Sequence, residues 1–208
     1  MQTHFIRPLL PLALLPLIVV FCGCSGGPAP PDQPGLDASS ASAKAMEIYD
    51  KNSDNQLDAE ERQASPALEL AMETMDENND GMLGRAEIKQ RIEEWQNADT
   101  IINTQGVEVY RNGQPVEGAT VTLVPEEFLQ PTIQVTQGTT NADGFALPEG
   151  QDAQYPGIYL GLYRVKISKQ QDGRETIPPR FNSETTLAIE VAPDAPSTQR
   201  LFIFDVGQ

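Results

Sequence analysis

The chain has 208 residues, 30 acidic and 14 basic, and a formal net charge of −16. That balance excludes nucleic acid and anionic membrane surfaces as partners, because both demand clustered Lys and Arg. His4, the one His, and Cys22, one of two Cys, fall in an amino-terminal apolar segment that reads as a removable signal. Its removal leaves no His and one Cys, which excludes Ser-His-Asp and Cys-His catalysis, His or Cys zinc sites, thioredoxin-type redox chemistry and disulfides.

In chain order, Arg7 supplies a positive start and Leu9–Phe21 a 13-residue apolar run containing Pro11 and Pro16. Such a run is too short and too broken to span a membrane and fits an export signal. It ends Phe21-Cys22-Gly23-Cys24, which resembles a bacterial lipoprotein lipobox in Gly23 and Cys24 and departs from it in Phe21 and Cys22. The resemblance implies that residues 1–23 are removed and that Cys24 is lipidated, anchoring the chain to the bacterial cell envelope. Ser25 rather than Asp after the Cys favours, by analogy with Gram-negative sorting, the outer membrane over the inner. The alternative is an ordinary signal peptide with an incidental Cys. Residues 24–42 follow as a tether: from 25 onward they hold four Pro, three Gly, four Ser and one large apolar residue, too little burial to offset ordering entropy.

Residues 76–87 read DENNDGMLGRAE, with oxygen side chains at Asp76, Asn78 and Asp80, Gly81 in sixth place and Glu87 in twelfth. This is the full D-x-[DN]-x-[DN]-G-x5-E pattern. Calcium wants six to eight hard oxygens; alternate positions of such a loop point inward, glycine permits the turn, and the last Glu closes the sphere with both oxygens. Met82 would offer its carbonyl, and Gly84 leaves its place to water. Residues 50–61, DKNSDNQLDAEE, repeat the design with Asp50, Asn52, Asp54, Asp58 and Glu61, and Gln56 as carbonyl donor. Asn55 stands where Gly is usual; Asn also visits left-handed backbone, so the turn survives at some cost.

Around these loops, Ala45, Met46 and Tyr49 lead into the first, Leu68, Met72 and Met75 into the second, and Ile88, Ile92 and Trp95 leave it at helical spacing. Leu57 and Leu83 hold the eighth positions, where paired hands make a short β-contact. Residues 43–98 therefore resemble the EF-hand family, which implies two Ca2+ sites. The loops start only 26 residues apart and Ser65-Pro66 interrupts the join, so the helix leaving loop one is expected to be one to two turns long. Such a compact pair is poorly built for the opening of a calmodulin-like sensor, and the Met residues read as core. With 14 acidic and 6 basic side chains the segment carries −8, which calcium would partly neutralise. The expected role of calcium is structural.

From residue 99 to 208 period-two runs take over. Val107 and Val109 alternate before an Asn112-Gly113 hairpin turn; Val121 with Leu123, Ile133 with Val135, and Phe145 with Leu147 follow. Tyr163, Val165 and Ile167 alternate with Arg164, Lys166 and Ser168, one face buried and one wet. Leu187, Ile189 and Val191 precede a closing Leu201–Phe204 run, and Gly118, Asp143-Gly144 and Asp172-Gly173 punctuate. NGQPVEGATVTLVP, GTTNADGFALP, GLYRVKISK, IPPRFNSETTLAIEV and LFIFDV resemble the carboxypeptidase regulatory-like domain, which implies a transthyretin-like fold and a non-catalytic accessory module. The expected fold class is α+β, a compact EF-hand helical pair followed by an antiparallel β-sandwich of about seven strands.

The expected function is thus a non-enzymatic, lipid-anchored, calcium-binding envelope protein, with an envelope protein or polysaccharide as the class of partner. Two other readings stay open. Tyr155, Tyr159 and Tyr163 could build a stacking platform for carbohydrate, although Tyr163 belongs to the buried alternation. A dockerin-like calcium pair could attach the chain to a scaffold, although dockerin loops precede their helices and here helical segments precede the loops. Glu126-Glu127 beside Pro125 read as solvated loop charges rather than a catalytic pair.

Overall fold

The computed structural model describes residues 35–150, 156–196 and 201–207; the export signal, Cys24 and Tyr155 lie outside them. Helix α1, Ala38–Tyr49, begins inside the stretch expected to be a tether. Asp37 caps it, accepting the Ser40 N–H at 2.6 Å, and hydrogen bonding from the Ser40 side chain, then from this N–H, holds the Asp37 carboxyl below its ordinary value. Ala38, Ala41 and Ser42 are buried. Small residues that read as low-complexity linker are here the close-packed face of a helix.

Helix α2, Ala59–Arg62, is a single turn closed by a reciprocal box between Asp58 and Glu61, which satisfies two otherwise orphaned donors. Ser65 caps α3, Pro66–Leu70, with Pro66 in its first turn, where a missing N–H costs nothing. After Ala71 the chain resumes as α4, Met72–Met75. Helix α5, Arg85–Gln96, buries Ile88, Ile92 and Trp95 as its spacing predicts. Among the described residues, no helix is long and apolar enough to cross a membrane.

The rest is β-structure in several sheets, so the fold is α+β. The largest sheet runs Ala188–Val191, Gly161–Ser168, Thr120–Pro125, Thr136–Thr139, Glu149–Gly150, every neighbour antiparallel. In a smaller sheet Val107–Arg111 lies between Phe202–Asp205 and two partners, Gln114–Pro115 and Phe145–Ala146. Asn112 and Gly113 turn this hairpin at φ of 53° and 74°, the pair of positive values that matches strand twist. The closing strand pairs parallel to Val107–Arg111, against the wholly antiparallel expectation. Antiparallel pairing is obligatory only for tight hairpins, and a long crossover lets a strand return in the same direction.

Two registers differ from the simple alternation. Ile133 and Val135 form no strand: Ile133 is buried while Val135 is 42% exposed. In Phe145–Ala146 the buried residue is Ala146, not Phe145. The face carrying Arg164 is not simply wet, because α3 packs over Gly161–Ser168 and Ala188–Val191. Leu162 is therefore buried alongside Tyr163, as in any strand covered on both faces.

All described residues belong to one compact unit, 31–208. Leu57, Leu68, Leu83, Ile88 and Ile92 of the helical part share a continuous core with Val107, Val121, Leu123, Val165 and Phe202 of the sheets. Tyr49 meets Phe128 edge-on, ring centroids 6.4 Å apart, and the Lys44 ammonium donates to the Glu127 carbonyl at 2.9 Å. A helical segment of this length has little core of its own; here it borrows one from the sheets.

Candidate functional site: two acidic loops

The first seven positions of the two loops form the same turn with the same bonds. Asp50 Oδ1 accepts the Asp54 N–H at 3.2 Å, and Asp76 Oδ1 the Asp80 N–H at 3.2 Å. Asn52 and Asn78 accept those same donors at 2.8 Å. Asp50 Oδ2 takes the Asn55 N–H at 3.0 Å and Asp76 Oδ2 the Gly81 N–H at 2.9 Å. Asp54 and Asp80 accept from Gln56 and Met82, each at 2.9 Å. Asn55 and Gly81 both take positive φ, 68° and 81°. The turn is therefore dictated by residue type at each position: short oxygen side chains fold back on the backbone, and the sixth residue must tolerate left-handed geometry.

The twelfth residues close the loops. Glu61 is buried; its Oε2 accepts the Asp58 N–H at 3.1 Å and its Oε1 the Lys51 N–H at 2.8 Å. Glu87 Oε2 accepts the Gly84 N–H at 2.8 Å, whereas its Oε1 is buried without a hydrogen-bond partner. Between the loops Leu57 pairs with Leu83 and Gln56 with Gly84 in a two-residue antiparallel contact, with both leucines fully buried.

Carboxylate oxygens of Asp50, Asp54 and Glu61 lie within 4.8 Å of one another, the group of three acidic residues so gathered among the described residues. Asp58 stands outside that group: its Oδ1 caps α2, accepting from Glu60 at 2.8 Å and Glu61 at 3.0 Å. In loop two Asp76, Asn78 and Asp80 share the same turn, while Asp76, Asp80 and Glu87 do not gather as tightly. The donor set suits a hard cation: carboxylate and amide oxygens, with no nitrogen or sulfur. A buried, unpaired carboxylate oxygen at Glu87 is costly unless a positive group approaches it, so the residues fit the ion their pattern implies.

Sequence reasoning missed the cations and carboxylates that surround these loops. Arg62 is buried, and its Nη1 donates to the Leu57 carbonyl at 2.7 Å and to the Gly81 carbonyl at 3.1 Å, stitching one loop to the other. Glu126, read as solvated, is 2% exposed. It can be buried because both oxygens are bonded: Tyr49 Oη donates to Oε2 at 2.9 Å and Arg164 Nε to Oε1 at 3.2 Å. Burial and the Glu126 charge push the Tyr49 hydroxyl well above its ordinary pKa, keeping it a donor.

Glu190 is likewise 2% exposed. Thr74 Oγ1 donates to its Oε2 and Arg91 Nε to its Oε1, each at 2.7 Å. Arg91 also forks onto Asp194 with two 2.9 Å bonds. Burial disfavours the Arg91 charge, but Asp194, Glu190 and Glu94 together outweigh it and raise its pKa. Of the tyrosines in the stacking-platform reading, Tyr163 is fully buried and donates its hydroxyl to the Tyr159 carbonyl at 2.8 Å, so its ring offers no free face.

No protein family, no curated protein and no solved structure matches this chain.

Proposed function

We propose that this chain is a non-enzymatic, lipid-anchored calcium-binding protein of the bacterial envelope, anchored through Cys24, with two EF-hand-like loops that hold calcium structurally. The observation that carries the reading is the bond-for-bond repetition of one turn in two loops, paired through Leu57 and Leu83. Asp50, Asn52, Asp54, Gln56 and Glu61 would hold one ion, and Asp76, Asn78, Asp80, Met82 and Glu87 the other. Calcium supplies a divalent charge that balances carboxylates gathered on one turn. The chain's own part is to orient oxygens: Asn55 and Gly81 bend the loops, and Glu61 and Glu87 are set by the first turns of α2 and α5. Asp58, expected from the sequence as a further ligand, has its Oδ1 committed to the cap of α2, and its other oxygen would be what it offers an ion.

The β-part is read as a sandwich of the carboxypeptidase regulatory-like kind. Its support is the pair of sheets whose apolar residues join one core, and its role is that of an accessory or interaction module. The test is calorimetric titration of the chain with CaCl2, beside thermal unfolding in EDTA, magnesium and millimolar calcium. Two sites are expected, with Tm rising in calcium and one site lost in each of Asp50→Ala and Asp76→Ala. No heat and no Tm shift at millimolar calcium would overturn the reading.

A further inference from the structure

The two buried carboxylates of the large sheet region stand in matching places relative to the loops. Tyr49 immediately precedes loop one, and Ala64 follows its last residue by three positions. Tyr49 Oη donates to Glu126 Oε2 at 2.9 Å; Arg164 donates through Nε to Glu126 Oε1 at 3.2 Å and through Nη2 to the Ala64 carbonyl. In the second loop Thr74 lies two residues before Asp76 and Arg91 four after Glu87. Thr74 Oγ1 and Arg91 Nε meet the two oxygens of Glu190, each at 2.7 Å. In loop two the entering and leaving segments both bond one buried glutamate of the β-part; in loop one the entering segment bonds Glu126 directly and the leaving segment is joined to it through Arg164.

We propose that Glu126 and Glu190 are positioning residues that clamp the two loops, one each, in their ion-ready geometry. The inference rests on the calcium reading given above. Opening a hand requires its entering and leaving segments to move apart. Here that movement would pull Tyr49 from Glu126 or Ala64 from Arg164 in loop one, and Thr74 or Arg91 from Glu190 in loop two, breaking hydrogen bonds to an interior carboxylate or to its cation, which is strongly disfavoured. The loops therefore keep one shape with or without the ion, and the β-part sets calcium affinity from outside the ligand set. A clamp of this kind acts locally, so Glu126 governs loop one and Glu190 governs loop two.

The experiment is calorimetric titration of the full chain with CaCl2 in single-loop backgrounds, Asp76→Ala leaving loop one and Asp50→Ala leaving loop two. Into each background go Glu126→Gln and Glu190→Gln. Glu190→Gln is expected to weaken loop two about tenfold and loop one less than about twofold, with Glu126→Gln doing the reverse; tenfold matches one charge-assisted hydrogen bond. A hydrophobic dye should gain no fluorescence when calcium is added to the wild-type chain. Equal weakening of both loops, affinities unchanged within about twofold, or a calcium-dependent rise in dye fluorescence would each overturn the clamp. Absence of any calcium heat in the wild type would instead overturn the calcium reading on which it rests. Should a Glu→Gln chain fail to fold, Thr74→Val and Tyr49→Phe decide. Each removes one bond to the clamp, and a threefold or greater loss confined to its own loop is expected; no loss overturns the proposal.

Discussion

Asn55 and Gly81 occupy equivalent corners, and their φ values of 68° and 81° place both in the region where a β-carbon is disfavoured. Asn accepts this geometry through its short polar side chain, and an aliphatic residue does not. Asn55→Ala is therefore expected to destabilise the chain by about 1–2 kcal/mol, while Asn55→Gly stays within about 1 kcal/mol of wild type, checked by urea unfolding in EDTA. The corner was legible from position alone, since loop one repeats the Asp, Asn, Asp and Glu of loop two at the same four places. Arg62 was not. Nothing in its neighbours says that a charged side chain on a one-turn helix will be buried against the Leu57 and Gly81 carbonyls, because the second acceptor comes from the paired loop.

At the scale of elements, α5 shows how far periodicity reaches. Ile88, Ile92 and Trp95 lie at i, i+4, i+7 and all are buried. Arg91 sits on the same covered side, 3% exposed, and pattern counting assigns such a residue to solvent. Its burial is tolerable because Glu190, Asp194 and Glu94 surround the guanidinium. Arg91→Ala would remove the guanidinium bonded to the buried Glu190 carboxylate, and a loss of about 3–5 kcal/mol is expected in denaturant unfolding. Replacing Arg91 and Glu190 together by Met and Leu should recover most of that loss, since a buried ion pair and a packed apolar pair are often close in free energy. The strands tell the same story in reverse. Val121 with Leu123 and Tyr163 with Val165 and Ile167 kept the expected alternation, because flanking strands pair them on both sides. Ile133–Val135 and Phe145–Leu147, without such long partners, did not.

For the whole molecule, charge and folding are linked through the contact between helices and sheets. Hydrogen bonds from Arg91 hold the Asp194 carboxyl below its ordinary value of 3.8. A depressed folded pKa contributes stability that is complete above the unfolded value and is lost as pH falls through the folded one. The contribution of Asp194 therefore disappears below pH 3.8, and acid unfolding followed by circular dichroism should be less steep in Asp194→Asn in that range. Stability near neutral pH should fall in the same variant, because Arg91 loses one arm of its fork.

Local chemistry was enough to determine the two twelve-residue turns, the Leu57–Leu83 pairing, the break at Ser65-Pro66, the hairpin at Asn112-Gly113 and the α+β order of elements. Each depends on residues within a few positions of one another, or on a repeat that can be read along the chain. Only the tertiary structure decided that 38–42 is helix rather than tether, that Arg62 and Arg91 are buried, that Glu126 and Glu190 are interior carboxylates, and that the last strand runs parallel to Val107–Arg111. A buried charge is set by donors brought from afar: Tyr49 reaches Glu126 across 77 positions and Thr74 reaches Glu190 across 116. A single glutamate codon looks the same whether its partners are water or a folded neighbour, and the difference arises only when the chain closes around it.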